Sequence, residues 1–287
     1  MDIMISVDNL TKSYAQHKVL KGISFQVQKG EVFALLGING AGKTTTLECL
    51  EGLKKYEKGT VKLNGRFGIQ LQSASLAENI KVGEALEFFA KWQKTSLKPV
   101  LLEKIGIIPL MKRQYASLST GQKRRLHLAL AMLGNPDIIF LDEPTAGLDV
   151  EGRANLHSLI RELKEQGKTI ILASHDMGEI EALCDRIAIL KEGRILYTGT
   201  VQELTRQIEE GYRLQIRFSK KPDFTKLNIP ILQKTDEDDT VFETNSIEGA
   251  LAQIIPLIRI QKITIQDIKV EQDSLEHRFL TMSKENS

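Results

Sequence analysis

Cysteine is scarce in this chain: among 287 residues only Cys49 and Cys184 occur, far apart and without the close spacing of a metal knot. That excludes a disulfide scaffold, suits a reducing compartment, and leaves both thiols to be read as small buried hydrophobes. An excess of one charge is also missing, because 39 Lys and Arg face 37 Asp and Glu for a formal net charge of +2. Nothing global therefore points to nucleic acid or acidic lipid, and partners must be read from local features. No apolar run reaches the length of a membrane span, and the opening Met1-Asp2-Ile3-Met4-Ile5 lacks the charged start and long apolar stretch of a secretion signal. A soluble, cytosolic chain is expected. Repeats and low-complexity tracts are absent as well, so the length is free for one full α/β core and a small second domain.

What the chain does contain begins with Gly37-Ile38-Asn39-Gly40-Ala41-Gly42-Lys43-Thr44, which fits the phosphate-loop pattern G-x-x-x-x-G-K-[ST]. The apolar residues 32–36 before it read as a buried strand and residues 44–53 after it as a helix. The loop's backbone N–H groups then converge where a helix N-terminus already favours negative charge. Lys43 is placed to reach β- and γ-phosphates and the Thr44 hydroxyl to ligate Mg²⁺; Thr45 completes the nucleotide-binding set. A second apolar strand, residues 138–141, ends in Asp142 and Glu143. Such a strand delivers its carboxylates to the carboxyl edge of the sheet, where open α/β sheets bind ligands. Asp142 is expected to hold Mg²⁺, and Glu143 to orient or polarise the water that attacks the γ-phosphorus.

Around these motifs the pattern of apolar residues changes twice. Residues 3–7 and 23–27 alternate apolar with polar, and Lys29-Gly30 turns into the buried strand, so antiparallel strands flank the nucleotide. From 82 to 111 the spacing is helical, with Ala85, Leu86, Phe89 and Ala90 on one face. It breaks at Pro99 and resumes with Leu101, Leu102 and Ile105, as an inserted helical subdomain would. Strand 138–141, helix 153–166, strand 169–173, helix 177–183 and strand 187–190 then alternate, which implies a parallel sheet with crossover helices. Glu192-Gly193 turns into a strand at 194–198, and a helix at 201–208 ends near Gly211. Beyond lie an acidic turn at 236–239, strands around 214–218, 241–243 and 262–265, and helices from Ile247 and Ser274. These make a small α+β domain of about seventy-five residues, near the lower size for independent folding.

Leu118-Ser119-Thr120-Gly121-Gln122 opens the helix that runs to Leu133. Ser119 reads as the N-cap there, with Thr120 as an alternative cap, and the exposed amides make a second phosphate site in a chain that already has one, which invites two copies. In these motifs the sequence resembles the ATP-binding subunits of ABC transporters, whose signature is usually L-S-G-G-Q; Thr120 stands for the first glycine. The resemblance covers residues 1 to about 211. It implies a P-loop NTPase of ABC ATPase type, an α/β fold with an antiparallel β subdomain and a helical subdomain (about 73–115), within a nucleotide-binding domain over 1–210. Residues 211–287 form the small C-terminal domain. The segment between the helix after the phosphate loop and Gln72 is shorter than usual, with residues 61–65 leading straight to Phe67, which calls some strands of the nucleotide-flanking sheet into question.

Carried over position by position, Tyr14, in the loop between the first strands, resembles the aromatic residue that stacks on adenine. Gln72, close to Gln70, resembles the glutamine that touches metal and water and links the site to the helical subdomain. Ala146-Gly147-Leu148-Asp149 looks like the loop that crosses between subunits, and His175 like the switch histidine on the γ-phosphate. The resemblance further implies that the phosphate loop of one subunit and Ser119, Gly121 and Gln122 of another sandwich each ATP, in a homodimer or with a paired ATPase subunit. An integral membrane permease is expected to dock against residues 72–111. Phe88, Phe89 and Trp92 are candidates for that surface, with packing inside the subdomain the weightier reading. The chain is placed peripherally at the cytoplasmic face of the cell membrane. Residues 273–280 resemble the tail of bacterial drug, lipid or polysaccharide exporters, which favours export. The competing class is a soluble ABC-type ATPase acting on ribosome or DNA. A lone ATPase domain, no coiled coil and a near-neutral charge with no nucleic-acid footprint argue against it. Asp142, Glu143 and His175 together argue against a module that binds ATP without turning it over.

Overall fold

The computed structural model describes residues 2–70, 76–206, 212–220, 222–224, 231–234 and 239–272. They fall into two compact units, residues 1–201 and residues 202–287. In the first unit, β1 (Ile3–Tyr14) and β2 (His17–Gln28) form an antiparallel pair joined through Ala15 and Gln16. Ile5, Val7, Leu10, Ile23, Phe25 and Val27 are buried, as alternation on a half-covered sheet requires. Both strands run further than the alternating cores suggested, so Tyr14 is the last residue of β1, paired with His17, and not a loop residue. The buried β3 (Val32–Leu36) leads through the phosphate loop into α1 (Lys43–Leu50). That helix stops short of the expected Leu53 because Gly52 takes a left-handed φ of 75°. β4 (Lys58–Leu63) then pairs with β1, giving a sheet of order β2-β1-β4. The short connecting stretch therefore still supplies a third strand.

The central sheet comprises β3, β5 (Phe67–Gln70), β6 (Ile138–Asp142), β7 (Thr169–Ser174), β8 (Arg186–Lys191) and β9 (Arg194–Thr200). Its order is β5-β6-β7-β3-β8-β9, parallel except for β9. Every residue of β3, β6 and β7 is buried, the continuous apolar pattern of strands covered on both faces. Crossover helices α5 (Val150–Glu165) and α6 (Met177–Leu183) bury Leu156, Leu159, Ile160, Leu163, Ile180 and Leu183. Side chains on the other face of the sheet, among them Phe33, Leu35, Ile138, Phe140 and Ile171, pack with α1 and the antiparallel sheet into one core. Cys49 is buried in it; Cys184 is only partly covered.

The inserted helices are α2 (Val82–Trp92), α3 (Pro99–Lys104) and α4 (Thr120–Ala131). Val82, Ala85, Leu86 and Ala90 face inward, but Phe88 and Trp92 are 62% and 73% exposed. Packing within the subdomain was the weightier expectation for these two aromatics, and it does not hold. α2 is amphipathic, and Phe88 and Trp92 fall on the flank of its apolar arc that its neighbours leave uncovered.

In the second unit β10 (Tyr212–Phe218), β11 (Ile231–Lys234), β12 (Asp239–Thr244) and β13 (Ile265–Gln272) form an antiparallel sheet of order β11-β12-β10-β13. Leu214, Ile216, Phe218 and Phe242 pack on Ala250, Ile254 and Ile258 of α8 (Ile247–Ile260). β13 starts three residues after the expected Lys262, which sits at φ 53° in the turn leaving α8. α7 (Val201–Arg206) precedes this sheet. The rest of the helix expected to residue 208, most of the acidic turn, and the tail helix from Ser274 lie outside the described residues.

One buried carboxyl of the first unit has a measurable consequence. Glu51, at the end of α1, is 8% exposed, and burial, helped by Asp142 and Glu48, pushes its pKa from 4.5 to about 7. The native chain keeps this proton where the unfolded chain has lost it. The native state thus binds more protons between pH 4.5 and 7, and stability falls as pH rises through that window. Glu51→Gln is expected to stabilise by about 1–3 kcal/mol at pH 8 and to change little at pH 4, as urea melts at the two pH values will show.

Candidate functional site

The phosphate loop is held open by its own backbone. Gly42 caps α1 at φ 108°, and a Cβ there would meet the Leu20 side chain at 2.8 Å. A Cβ on Gly37 would meet the Leu190 carbonyl at 2.6 Å, so both positions require glycine. The Ala41 N–H donates to Ile38 O (3.1 Å) and the Gly193 N–H to Ala41 O (3.1 Å), which pins the loop to the β8–β9 turn. Ile38, Asn39 and Gly40 are exposed at its crest, and Thr44 and Thr45 are half-buried at the first turn of α1. Lys43 is 6% exposed; its Nζ donates to Gly37 O (2.7 Å) and lies 3.6 Å from a Glu143 carboxylate oxygen. Burial lowers its pKa, and the neighbouring Glu143 and Asp142 oppose that shift. A buried cation with backbone carbonyls as stand-in partners is poised for a stronger anion.

Asp142 ends β6, separated from β3 by β7. It is 5% exposed, and burial pushes its pKa up while a hydrogen bond from Thr44 pulls it down. Its Oδ1 is buried with no hydrogen-bond partner among the described residues. A buried carboxylate oxygen left unpaired beside a threonine hydroxyl is an all-oxygen donor set, and it fits Mg²⁺.

Glu143 follows at φ 49°, a left-handed conformation that costs a non-glycine residue about 1–3 kcal/mol. Its N–H still bonds Ala173 O at 3.0 Å, so the strain redirects the side chain at the edge of the sheet. The carboxylate meets His175 Nδ1 at 2.8–2.9 Å. His175 comes directly after β7, where the Ser174 hydroxyl donates to Glu179 (2.6 Å) and accepts from the Asp176 N–H (3.0 Å). Lys43, Thr44, Asp142, Glu143 and His175 thus converge on one side of the sheet.

The second set of predicted residues forms a separate cluster. Ser119 caps α4, accepting from the Gln122 N–H at 3.3 Å, while the Ser119 N–H donates to Gln122 Oε1 at 3.1 Å. This reciprocal box leaves the helix N-terminus facing outward. Thr120 is exposed at the start of α4, and its methyl lies 3.2 Å from where a Cβ on Gly147 would stand, so the glycine at 147 leaves it room. Gly121 is set against Leu148, and Asp149 caps α5 by accepting from the Gly152 N–H at 2.8 Å. Among the described residues, no hydrogen bond or ion pair links Ser119, Gly121 or Gln122 to residues 37–45.

Tyr14 is 42% exposed at the end of β1. Gln72 lies outside the described residues. Its neighbour Gln70 ends β5, is 2% exposed, and has a buried Oε1 with no hydrogen-bond partner among the described residues. Three further residues belong to this region and were not singled out in the sequence. Arg124, half-buried on α4, stands within electrostatic reach of Glu143, Asp142 and Glu179, and with Gln70 it lines a cavity of about 30 Å³. Glu179 supports the Ser174–Asp176 turn, and burial pushes its pKa up. Lys12 sits over the Tyr14 ring. Its spacing of two from Tyr14 on a strand was the signal available for it.

A parallel sheet with this loop and these carboxylates at its carboxyl edge defines a P-loop nucleoside triphosphatase. The family model described as ABC transporter matches residues 20–146. An uncharacterized ABC transporter ATP-binding protein of Methanocaldococcus jannaschii is 38% identical over 83% of this chain and 94% of its own length. The Nod factor export ATP-binding protein I of Paraburkholderia xenovorans is 38% identical over 70% of this chain and 72% of its own. A solved ATP-binding subunit of an ABC transporter superposes with a TM-score of 0.66 at 29% identity, covering 71% of this chain and 92% of that one. The chain belongs to the ABC transporter ATP-binding proteins. It is the ATP-binding subunit of an ABC transporter and carries the ABC ATPase fold of a family that hydrolyses ATP.

Proposed function

We propose that this chain closes head to tail with a second copy, or with a paired ATPase subunit, around two ATP molecules, and that closure drives a separate integral membrane permease in export. The observation that carries this is the division of the site. The phosphate loop, Asp142, Glu143 and His175 are joined by contacts, whereas among the described residues no hydrogen bond or ion pair links the outward-facing N-terminus at Ser119 and Gly121 to the loop. Each half suits one face of a bound triphosphate, so a complete site needs two chains. Residues 37, 39–45 and Tyr14 bind one face of ATP; Ser119, Gly121, Gln122 and Asp149 of the other chain close on it. Thr44, Asp142 and Gln72 hold Mg²⁺, which neutralises phosphate charge when bound. Glu143 accepts the proton of the attacking water, and His175 holds Glu143 in line and reaches the γ-phosphate.

Residues 1–210 make up the nucleotide-binding domain, with the helical subdomain at 73–115 as its permease-facing part, and residues 211–287 are the small C-terminal domain. Support for docking comes from exposed Phe88 and Trp92 and from an open groove of about 870 Å³ beside them, lined by Phe67, Ile69, Phe89 and Leu133. A peripheral place on the cytoplasmic face of the membrane accords with the described residues holding no helix long and apolar enough to cross it. Export is supported by the likeness to the Nod factor export ATP-binding protein. Nothing in the fold or the site favours the soluble alternative acting on ribosome or DNA. The test is to tag the full chain in its native cells, extract membranes with mild detergent, and identify what copurifies by mass spectrometry. A polytopic membrane protein in near-equal amount is expected. Recovery with ribosomal or DNA-associated proteins in the soluble fraction overturns the transporter coupling.

A further inference from the structure

The end of β1 is clamped more tightly than a strand terminus requires. On a strand, residues two apart share a face, so Lys12 and Tyr14 point the same way. Lys12 Nζ stands 5.0 Å from the centroid of the Tyr14 ring and 3.4 Å from Glu57 Oε1. Glu57 belongs to the segment between α1 and β4, forty-five residues from Lys12 in the chain. It is fastened to β1 from both sides: its N–H donates to Thr11 O at 3.0 Å, and its carboxylate accepts from the Ser13 N–H as well as from Lys12. Those donors, the Ser13 N–H foremost, hold the Glu57 carboxyl below its ordinary value, so it is ionised at neutral pH. The Lys12 side chain is only 15% exposed, unusual for a lysine on a small sheet, whereas Tyr14 keeps 42% of its surface in water.

A cation fixed over one face of an aromatic ring does two things. It blocks that face, and it restrains the ring, so that a planar ligand arriving on the other face loses less freedom on binding. We infer that Lys12, anchored by Glu57, is a positioning residue that orients Tyr14 as a one-sided stacking platform for the purine of the bound nucleotide. The inference rests on the reading that Tyr14 carries the adenine. Its reach is confined to the base: Lys12 is tied to Glu57 and to the ring, and is not directed at the phosphate loop.

The test compares ATP with inorganic tripolyphosphate, which has the phosphates and no base, by titration calorimetry on the full-length protein without divalent metal. Lys12→Met is expected to raise the Kd for ATP about two- to fivefold and to leave that for tripolyphosphate unchanged. Lys12→Arg keeps a cation over the ring and is expected to retain wild-type affinity. In a Tyr14→Ala background, Lys12→Met is expected to change nothing further. Equal weakening of both ligands by Lys12→Met makes Lys12 a general attractor of anions and overturns the inference. If Tyr14→Ala weakens ATP selectively while Lys12→Met does not, the role of Lys12 alone falls. If Tyr14→Ala leaves ATP binding intact, the adenine reading fails and the inference with it. Unchanged tripolyphosphate binding also certifies that each variant is folded.

Discussion

Glu143→Gln is expected to lower ATP turnover about 10²- to 10⁴-fold, or roughly 3–5 kcal/mol in the barrier, while ATP binding is preserved or tightened. The replacement keeps the shape of a side chain held at φ 49° and within 2.9 Å of His175 Nδ1, and an amide still hydrogen-bonds the imidazole. It removes the negative charge and with it the carboxylate proposed to take a proton from the attacking water. It also dissolves the 3.6 Å ion pair with Lys43. A buried lysine that loses its carboxylate gains more from a phosphate than before, which is why affinity does not suffer. On the proposed head-to-tail closure ATP favours the closed pair and hydrolysis removes that preference, so a variant that binds without hydrolysing is expected to accumulate as a closed dimer. Steady-state phosphate release and gel filtration with and without ATP read the two effects. A variant that hydrolyses at the wild-type rate removes Glu143 from the proton transfer, and one that hydrolyses slowly yet stays monomeric with ATP separates the chemistry from closure.

How much of this was legible beforehand depends on how local each feature is. The phosphate loop was readable because strand, glycines, lysine and helix are contiguous, and the buried β6 announced that Asp142 and Glu143 stand at a sheet edge. The alternation of strands and helices after residue 138 likewise gave the parallel sheet, since each crossover follows its strand in the chain. Ser119 as a helix cap needed only Gln122 three residues on. What stayed hidden is set across distance. The left-handed backbone at Glu143 carries no residue signature, because glutamate is not a residue that seeks φ above zero. Phe89 shares the face of Ala85, Leu86 and Ala90 and is half-covered, whereas the exposure of Phe88 and Trp92 depends on which flank of α2 its neighbours cover. The clamp on Tyr14 comes from Glu57, whose link to Lys12 no short-range pattern predicts.

The proposed division of the site between two chains leads to a mixing experiment with an all-or-none contrast. Lys43→Met removes the phosphate-gripping cation and is expected to reduce turnover at least about 10²-fold, the scale for losing a clamp on a charged transition state. Ser119→Asp damages the other half without unfolding it. Aspartate caps a helix as well as serine does, so the bond from the Gln122 N–H is kept, while a carboxylate now occupies the place where a γ-phosphate is expected to arrive. Like charges forced together cost several kcal/mol, so this variant too is expected to be nearly inactive. Each variant is intact where the other is broken. In a head-to-tail pair formed from one of each, the phosphate loop of the Ser119→Asp chain meets the unaltered Ser119 of the Lys43→Met chain, and one site is whole. Random pairing of equal amounts makes half the dimers mixed, each with one site of two, so the mixture is expected to recover roughly a quarter of wild-type turnover from two silent parents. If Ser119 acted on the phosphates of its own chain, or if the chain worked as a monomer, no pairing would assemble a complete site and the mixture would stay as silent as its components.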